Sequence, residues 1–91
     1  MYKLEATQRY LKTARKFIQH HPQLKPILRN VLALLVSNPH QPELRLHQLE
    51  GEFKKLLAVR LTYEFGIILI INKKTRTITL LDIGSHDKTY N

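Results

Sequence analysis

Five histidines and fifteen lysines and arginines are the side chains with chemical potential in this chain of 91 residues, which has no cysteine. Disulfides, thiolate metal sites and thiol nucleophiles are therefore excluded. His20 and His21 are adjacent, point in divergent directions on a helix, and read as a solvated helix end favoured by the dipole. His40 lies in a proline-flanked linker and reads as exposed. His47 and His86 stand apart. His47 belongs to an alternating segment just before Gly51, and His86 sits in Gly84-Ser85-His86-Asp87 at the end of the last predicted strand. Histidine is the side chain best suited to proton transfer near neutral pH, and loops at strand ends are where rigid scaffolds hold such groups. Ser85 and Asp87 equally suit a plain turn with His86 as an exposed member. Lys54, Lys55 and Arg60 form a basic set that suits phosphate contacts, the arginine also stabilising charge on a phosphorane. The same three residues suit a solvated sheet face whose lysines protect an edge. Gly51, Gly66 and Gly84 are too far apart for a phosphate-cradling loop, and no Ser/His/Asp or metal-ligand motif occurs, so no cofactor or metal is expected.

These side chains sit in a basic chain. Fifteen lysines and arginines oppose seven acidic residues, a net charge of +8, which suits a polyanionic partner such as nucleic acid, an anionic surface or an acidic protein. The charge is uneven: residues 1–42 hold seven basic and one acidic residue, residues 43–91 eight and six. With 43% hydrophobic and 24% charged residues, the composition is that of an ordinary globular chain, and its length predicts one domain over residues 1–91. The first residues lack the apolar core of a signal peptide, and the longest apolar run, Ile67 to Ile71, is too short to cross a bilayer. The expectation is a small cytoplasmic domain with no membrane partner.

The elements that must position the histidines follow from periodicity. Tyr10, Leu11, Ala14, Phe17 and Ile18 recur at helical spacing between Thr7, a plausible N-cap, and about Gln19, and His20-His21-Pro22 ends that helix. Leu24, Ile27, Leu28, Val31, Leu32 and Leu35 form the stripe of a second helix from about Gln23 to Ser37, with Pro26 in its first turn and Asn38-Pro39 closing it. Tyr2 to Glu5 alternates weakly, enough for a short leading strand. After the linker at residues 38–42 the period changes to two. Arg45 to Leu49 alternates and meets Gly51, a turn or bulge; Leu56 to Tyr63 alternates through Leu57, Val59, Leu61 and Tyr63; Ile67 to Ile71 reads as a strand buried on both faces. Asn72 to Thr75 is a hairpin turn, and Thr77 to Ile83 the last strand. The fold class is α+β: an N-terminal helical hairpin packed on a three- or four-stranded, mostly antiparallel sheet.

Three segments resemble one family. Leu46 to Lys54 is similar to the H-x-L-x-G-x-L/F-K segment of RelE/YafQ-type toxins of bacterial type II toxin–antitoxin pairs, within the RelE/ParE superfamily. Ala58 to Tyr63 resembles their second sheet segment. Leu81 to Tyr90 resembles their terminal I-G-S-H-D-x-x-Y signature, the most specific of the three, and the order of elements matches along essentially the whole chain. The resemblance implies a messenger RNA endoribonuclease that cuts in the ribosomal A site, silenced by a cognate antitoxin protein. The family's cleavage is metal-independent: the ribose 2′-hydroxyl attacks the adjacent phosphate, leaving a 2′,3′-cyclic phosphate and a 5′-hydroxyl. Carried over by motif, His86 is the general acid, Tyr90 a terminal aromatic on or near the substrate base, and His47 a second acid/base or phosphate-contacting group. Lys54 and Arg60 are cationic neighbours of the phosphate, with Lys55 beside them.

The chain departs from the family pattern at two places. Where many relatives have K-G and a tryptophan, it has Lys54-Lys55 and Leu57. Where relatives often carry an arginine after the aromatic of a Y-R-I-x-F/Y stretch, it has Gly66 in Phe65-Gly66-Ile67. Two alternatives follow: a catalytically weak or inactive member acting as an antitoxin- or RNA-binding module, and a ParE-like gyrase inhibitor. The G-S-H-D ending argues against the second, since that branch is not expected to depend on a terminal catalytic histidine.

Overall fold

A computed structural model describes residues 1–49 and 55–85. The elements run β1 (Lys3–Ala6), α1 (Gln8–His20), α2 (Lys25–Ser37), β2 (His47–Gln48), β3 (Leu57–Arg60), β4 (Phe65–Asn72) and β5 (Thr77–Ser85), with 3-10 turns at Pro22–Leu24 and Pro42–Leu44. They build an α+β fold in which both helices pack on a five-stranded sheet of order β1-β5-β4-β3-β2. The sheet is thus wider than the three or four strands expected. The strand beyond that number is an edge, β1. It carries Leu4 against the core and pairs parallel to β5, whereas β2, at the other edge, is two residues long and pairs antiparallel to β3. Both edges fall in the segments whose alternation suggested them, residues 2–5 and 45–49.

Thr7 joins the layers. Its extended backbone (φ −73°, ψ 161°) lets Oγ1 accept from the Tyr10 N–H at 3.1 Å as an N-cap. The same hydroxyl donates to the Leu80 carbonyl of β5 at 3.1 Å. From there α1 buries Tyr10 and Phe17, and α2 buries Leu28, Val31 and Leu35. The chain returns far enough for the Tyr2 N–H to donate to the Val36 carbonyl at 2.9 Å. Leu35, Val59, Ile67, Leu69 and Ile78 are fully buried at the centre. Pro26 does fall in the first turn of α2, where its missing N–H is no loss.

Strand alternation divides the sheet into two faces. Val59, Ile67, Leu69, Ile78 and Leu80 meet the helices, while Leu49, Ala58 and Ile68 form a second apolar cluster on the far face. A register irregularity between Ile68 and Leu69 shifts the β4–β5 pairing. At the sheet end where β3 finishes, Arg60 stands opposite Gly66, and Gly66 opposite Gly84.

Two sequence expectations change in three dimensions. Strand β3 stops at Arg60, and Tyr63 lies in the β3–β4 turn at 88% exposure, not on the core stripe. The cause is Thr62, whose hydroxyl accepts from the Glu64 and Phe65 N–H groups and closes the turn. His20 is exposed, with Nδ1 2.8 Å from the Lys16 carbonyl, but His21 is half-buried. Its ring lies 5.0 Å from Phe17 and 4.8 Å from Phe65, an aromatic cluster joining the end of α1 to the start of β4.

Candidate functional site

The 3-10 turn Pro42–Leu44 ends in Arg45, whose backbone is left-handed (φ 49°, ψ 46°). A non-glycine residue there carries about 1–2 kcal/mol of strain. The turn brings the Arg45 carbonyl 2.8 Å from His47 Nδ1. A carbonyl only accepts, so Nδ1–H is the donor, and in the neutral ring Nε2 carries the lone pair. The local backbone thus selects a tautomer with basic Nε2, the arrangement a general base requires.

His47 pairs with Ala58 across the β2–β3 ladder. It lines a recess of about 480 Å³ with Arg45, Leu46, Arg60 and Tyr63. Arg60, at the end of β3, has its guanidinium carbon 5.8 Å from the Tyr63 ring centroid. Two permanently charged guanidiniums and an imidazole therefore share one concavity, with an aromatic ring at its margin. Among the described residues no carboxylate lines it. Such a recess attracts an anion and places forked donors around a phosphate beside the imidazole.

Of the residues expected at a site, His47 and Arg60 come together here. Lys55 does not join them. It lies just before β3, at the opposite end from Arg60, in a larger hollow of about 1050 Å³ lined also by Lys3, Gln48, Lys73 and Lys74. Among the described residues that hollow has neither a histidine nor an arginine in its lining. Lys54, His86 and Tyr90 lie outside the described residues, as does Gly51. The described part of β5 ends at Ser85, opposite Phe65, at the same end of the sheet as Arg60 and Gly66.

Two further residues enter the site that sequence reading left out. Arg45 was hidden because only the left-handed turn reveals its place, although it stands two residues before His47. Tyr63 continued the alternation of Val59 and Leu61 and read as core. The signal against that reading was Thr62-Tyr63-Glu64, a polar interruption before Phe65.

Among the described residues no group of three or more histidines and carboxylates stands close enough to hold a metal ion, and no helix is long and apolar enough to cross a membrane. Both helices are basic: Arg9, Lys12, Arg15, Lys16, Lys25 and Arg29 lie on them with no acidic residue. Arg9 is engaged with Asp82 of β5 at 3.1 Å.

No protein-family model matches the chain, nor does any curated protein sequence. Solved structures do. A metal-bound toxin from Helicobacter pylori superposes with a TM-score of 0.81 at 24% identity, over 99% of this chain and 100% of that one. YafQ from E. coli strain BL21(DE3) gives 0.81 at 15% identity, over 100% of both chains. A chain of the E. coli DinJ–YafQ toxin–antitoxin complex gives 0.79 at 18% identity, over 99% of this chain and 98% of that one. With two helices packed on a sheet of five strands, this chain has the fold of the RelE/YafQ-type toxins.

Proposed function

We propose that the protein is the toxin of a type II toxin–antitoxin pair and acts as a ribosome-dependent messenger RNA endoribonuclease in the cytoplasm. The observation that carries this reading is the recess in which His47, oriented by the Arg45 carbonyl, faces the same space as Arg45 and Arg60. Two events define the reaction. His47 Nε2 takes the proton of a ribose 2′-hydroxyl, whose oxygen attacks the adjacent phosphorus. The bond from phosphorus to the 5′-oxygen then breaks, His86 supplies the proton that oxygen needs, and a 2′,3′-cyclic phosphate remains. The guanidiniums of Arg45 and Arg60 stabilise the extra negative charge of the phosphorane, an effect typically worth about 3–4 kcal/mol per well-placed donor. Lys54, Lys55 and Tyr90 serve RNA binding in this reading.

A cognate antitoxin is the second partner. The toxin fold occurs in a toxin–antitoxin complex in the case of YafQ. Here the acid-free, basic helices offer a surface for an acidic segment that folds on binding, or for ribosomal RNA phosphates.

One observation favours a second, weaker form of this reading. Gly66 places no side chain beside Arg60, so a cation that relatives often have is missing. A member so depleted cuts slowly or only binds. Primer extension on a reporter messenger RNA in a purified translation system separates the two. A-site cuts that vanish in His86→Ala support the ribonuclease; a folded wild-type protein that leaves the message intact supports the binding module.

A further inference from the structure

Tyr63 is the most exposed large aromatic side chain among the described residues, at 88%, and lies at the margin of the recess lined by Arg45, His47 and Arg60. Its exposure is built in. The Thr62 hydroxyl closes the turn and takes the chain out of the core stripe just before Tyr63, while Leu61 and Phe65 on either side return to the core. One face of the ring is turned to the Arg60 guanidinium, 5.8 Å from the centroid, which limits where the ring sits. At 88% exposure the opposite face is open to solvent.

An open aromatic face next to paired guanidiniums is the combination that holds one unstacked nucleotide: the cations take the phosphate and the ring takes the base. We infer that Tyr63 is the stacking platform for an RNA base adjacent to the phosphate held by Arg45 and Arg60. It is a substrate-positioning residue, and because every base has a π-face it adds affinity without strong sequence choice. This rests on the reading that the recess receives RNA. A protein partner docking on Tyr63 is the competing occupant. Among the described residues the recess is lined by two arginines and a histidine, with Leu46 as the lone aliphatic contributor, so it fits an anionic, planar ligand better than an apolar peptide.

The test is binding of a short fluorescent single-stranded RNA to the intact protein, measured by anisotropy at physiological salt for wild type, Tyr63→Ala and Tyr63→Trp. It is repeated with an abasic strand of the same length and charge. Tyr63→Ala is expected to weaken binding of the normal strand by about 5- to 150-fold, the worth of one base–aromatic stack. Tyr63→Trp is expected to bind as well as wild type or better, the abasic strand to bind wild type and Tyr63→Ala equally, and the melting temperature of all three proteins to agree. Equal affinity of wild type and Tyr63→Ala for the normal strand, or an equal loss on the abasic strand, overturns the inference while leaving RNA binding intact. If wild type binds neither strand, the recess is not an RNA site, and the inference falls with the reading beneath it.

Discussion

His47 owes its chemical identity to a neighbour two residues away. The Arg45 carbonyl fixes Nδ1 as the donor, and the strain of the left-handed Arg45 is the local investment that puts the carbonyl there. Replacing His47 with Gln keeps a polar side chain but removes the base. Cleavage is expected to fall about 10²- to 10⁴-fold with little change in melting temperature, measured by timed cleavage on programmed ribosomes. Gly66 gives the opposite experiment. Its register opposite Arg60 means that Gly66→Arg sets a second guanidinium on the same sheet face, within reach of a phosphate beside Arg60. Growth inhibition and cleavage are expected to rise about tenfold or more, with a modest loss of stability from the like-charge pair. Unchanged activity would mean that Arg45 and Arg60 already supply the charge. His47 and Arg60 were named from residue type and segment, and the fold brings them to one recess. Arg45 and Tyr63 were not, because their places in it come from a positive φ and from a side-chain-closed turn, neither of which leaves a periodic trace.

At the scale of the elements, Thr7 shows how one residue can serve two layers. It caps α1 and bonds to β5 through a single hydroxyl. Thr7→Ala should destabilise by about 1–2 kcal/mol, lowering the melting temperature by roughly 4–8 °C for each kcal/mol, whereas Thr7→Ser should recover most of the loss. Thermal unfolding followed by circular dichroism checks both, and an unaffected Thr7→Ala protein would show that the cap is not needed. The two helices and the long strands β4 and β5 were legible because their stripes run for several turns or pairs. The edges were legible as short alternating segments, residues 2–5 and 45–49, but their pairing was not. The parallel register of β1 with β5, and the two residues of β2 against β3, are contacts that no local pattern encodes. Likewise His21 read as a solvated helix end, since nothing local says that Phe65, more than forty residues on, closes over it.

On the scale of the whole molecule, the helices and the site divide the work. The helix side of the sheet supplies the core, and one of its members leaves a measurable signature. Burial pushes the Tyr10 phenol up from 10 to about 12. A raised acid pKa means that the unfolded chain loses its proton first, so the stability Tyr10 contributes is complete below pH 10 and is lost as pH climbs toward 12, by about 2–3 kcal/mol. Chemical denaturation at a series of pH values should show that loss in wild type and a smaller one in Tyr10→Phe. The far side of the sheet ends in the recess, where a fold shared with toxins at 15–24% identity brings together Arg45, His47, Arg60 and Tyr63. The most direct measurement is single-turnover cleavage of a message held in the ribosomal A site, with product ends identified, for wild type, His47→Gln and Arg60→Ala. Wild-type cuts are expected to bear 2′,3′-cyclic phosphate ends, with a loss of at least a hundredfold in each variant. Cuts bearing 3′-hydroxyl ends, or equal rates in all three folded proteins, would contradict it.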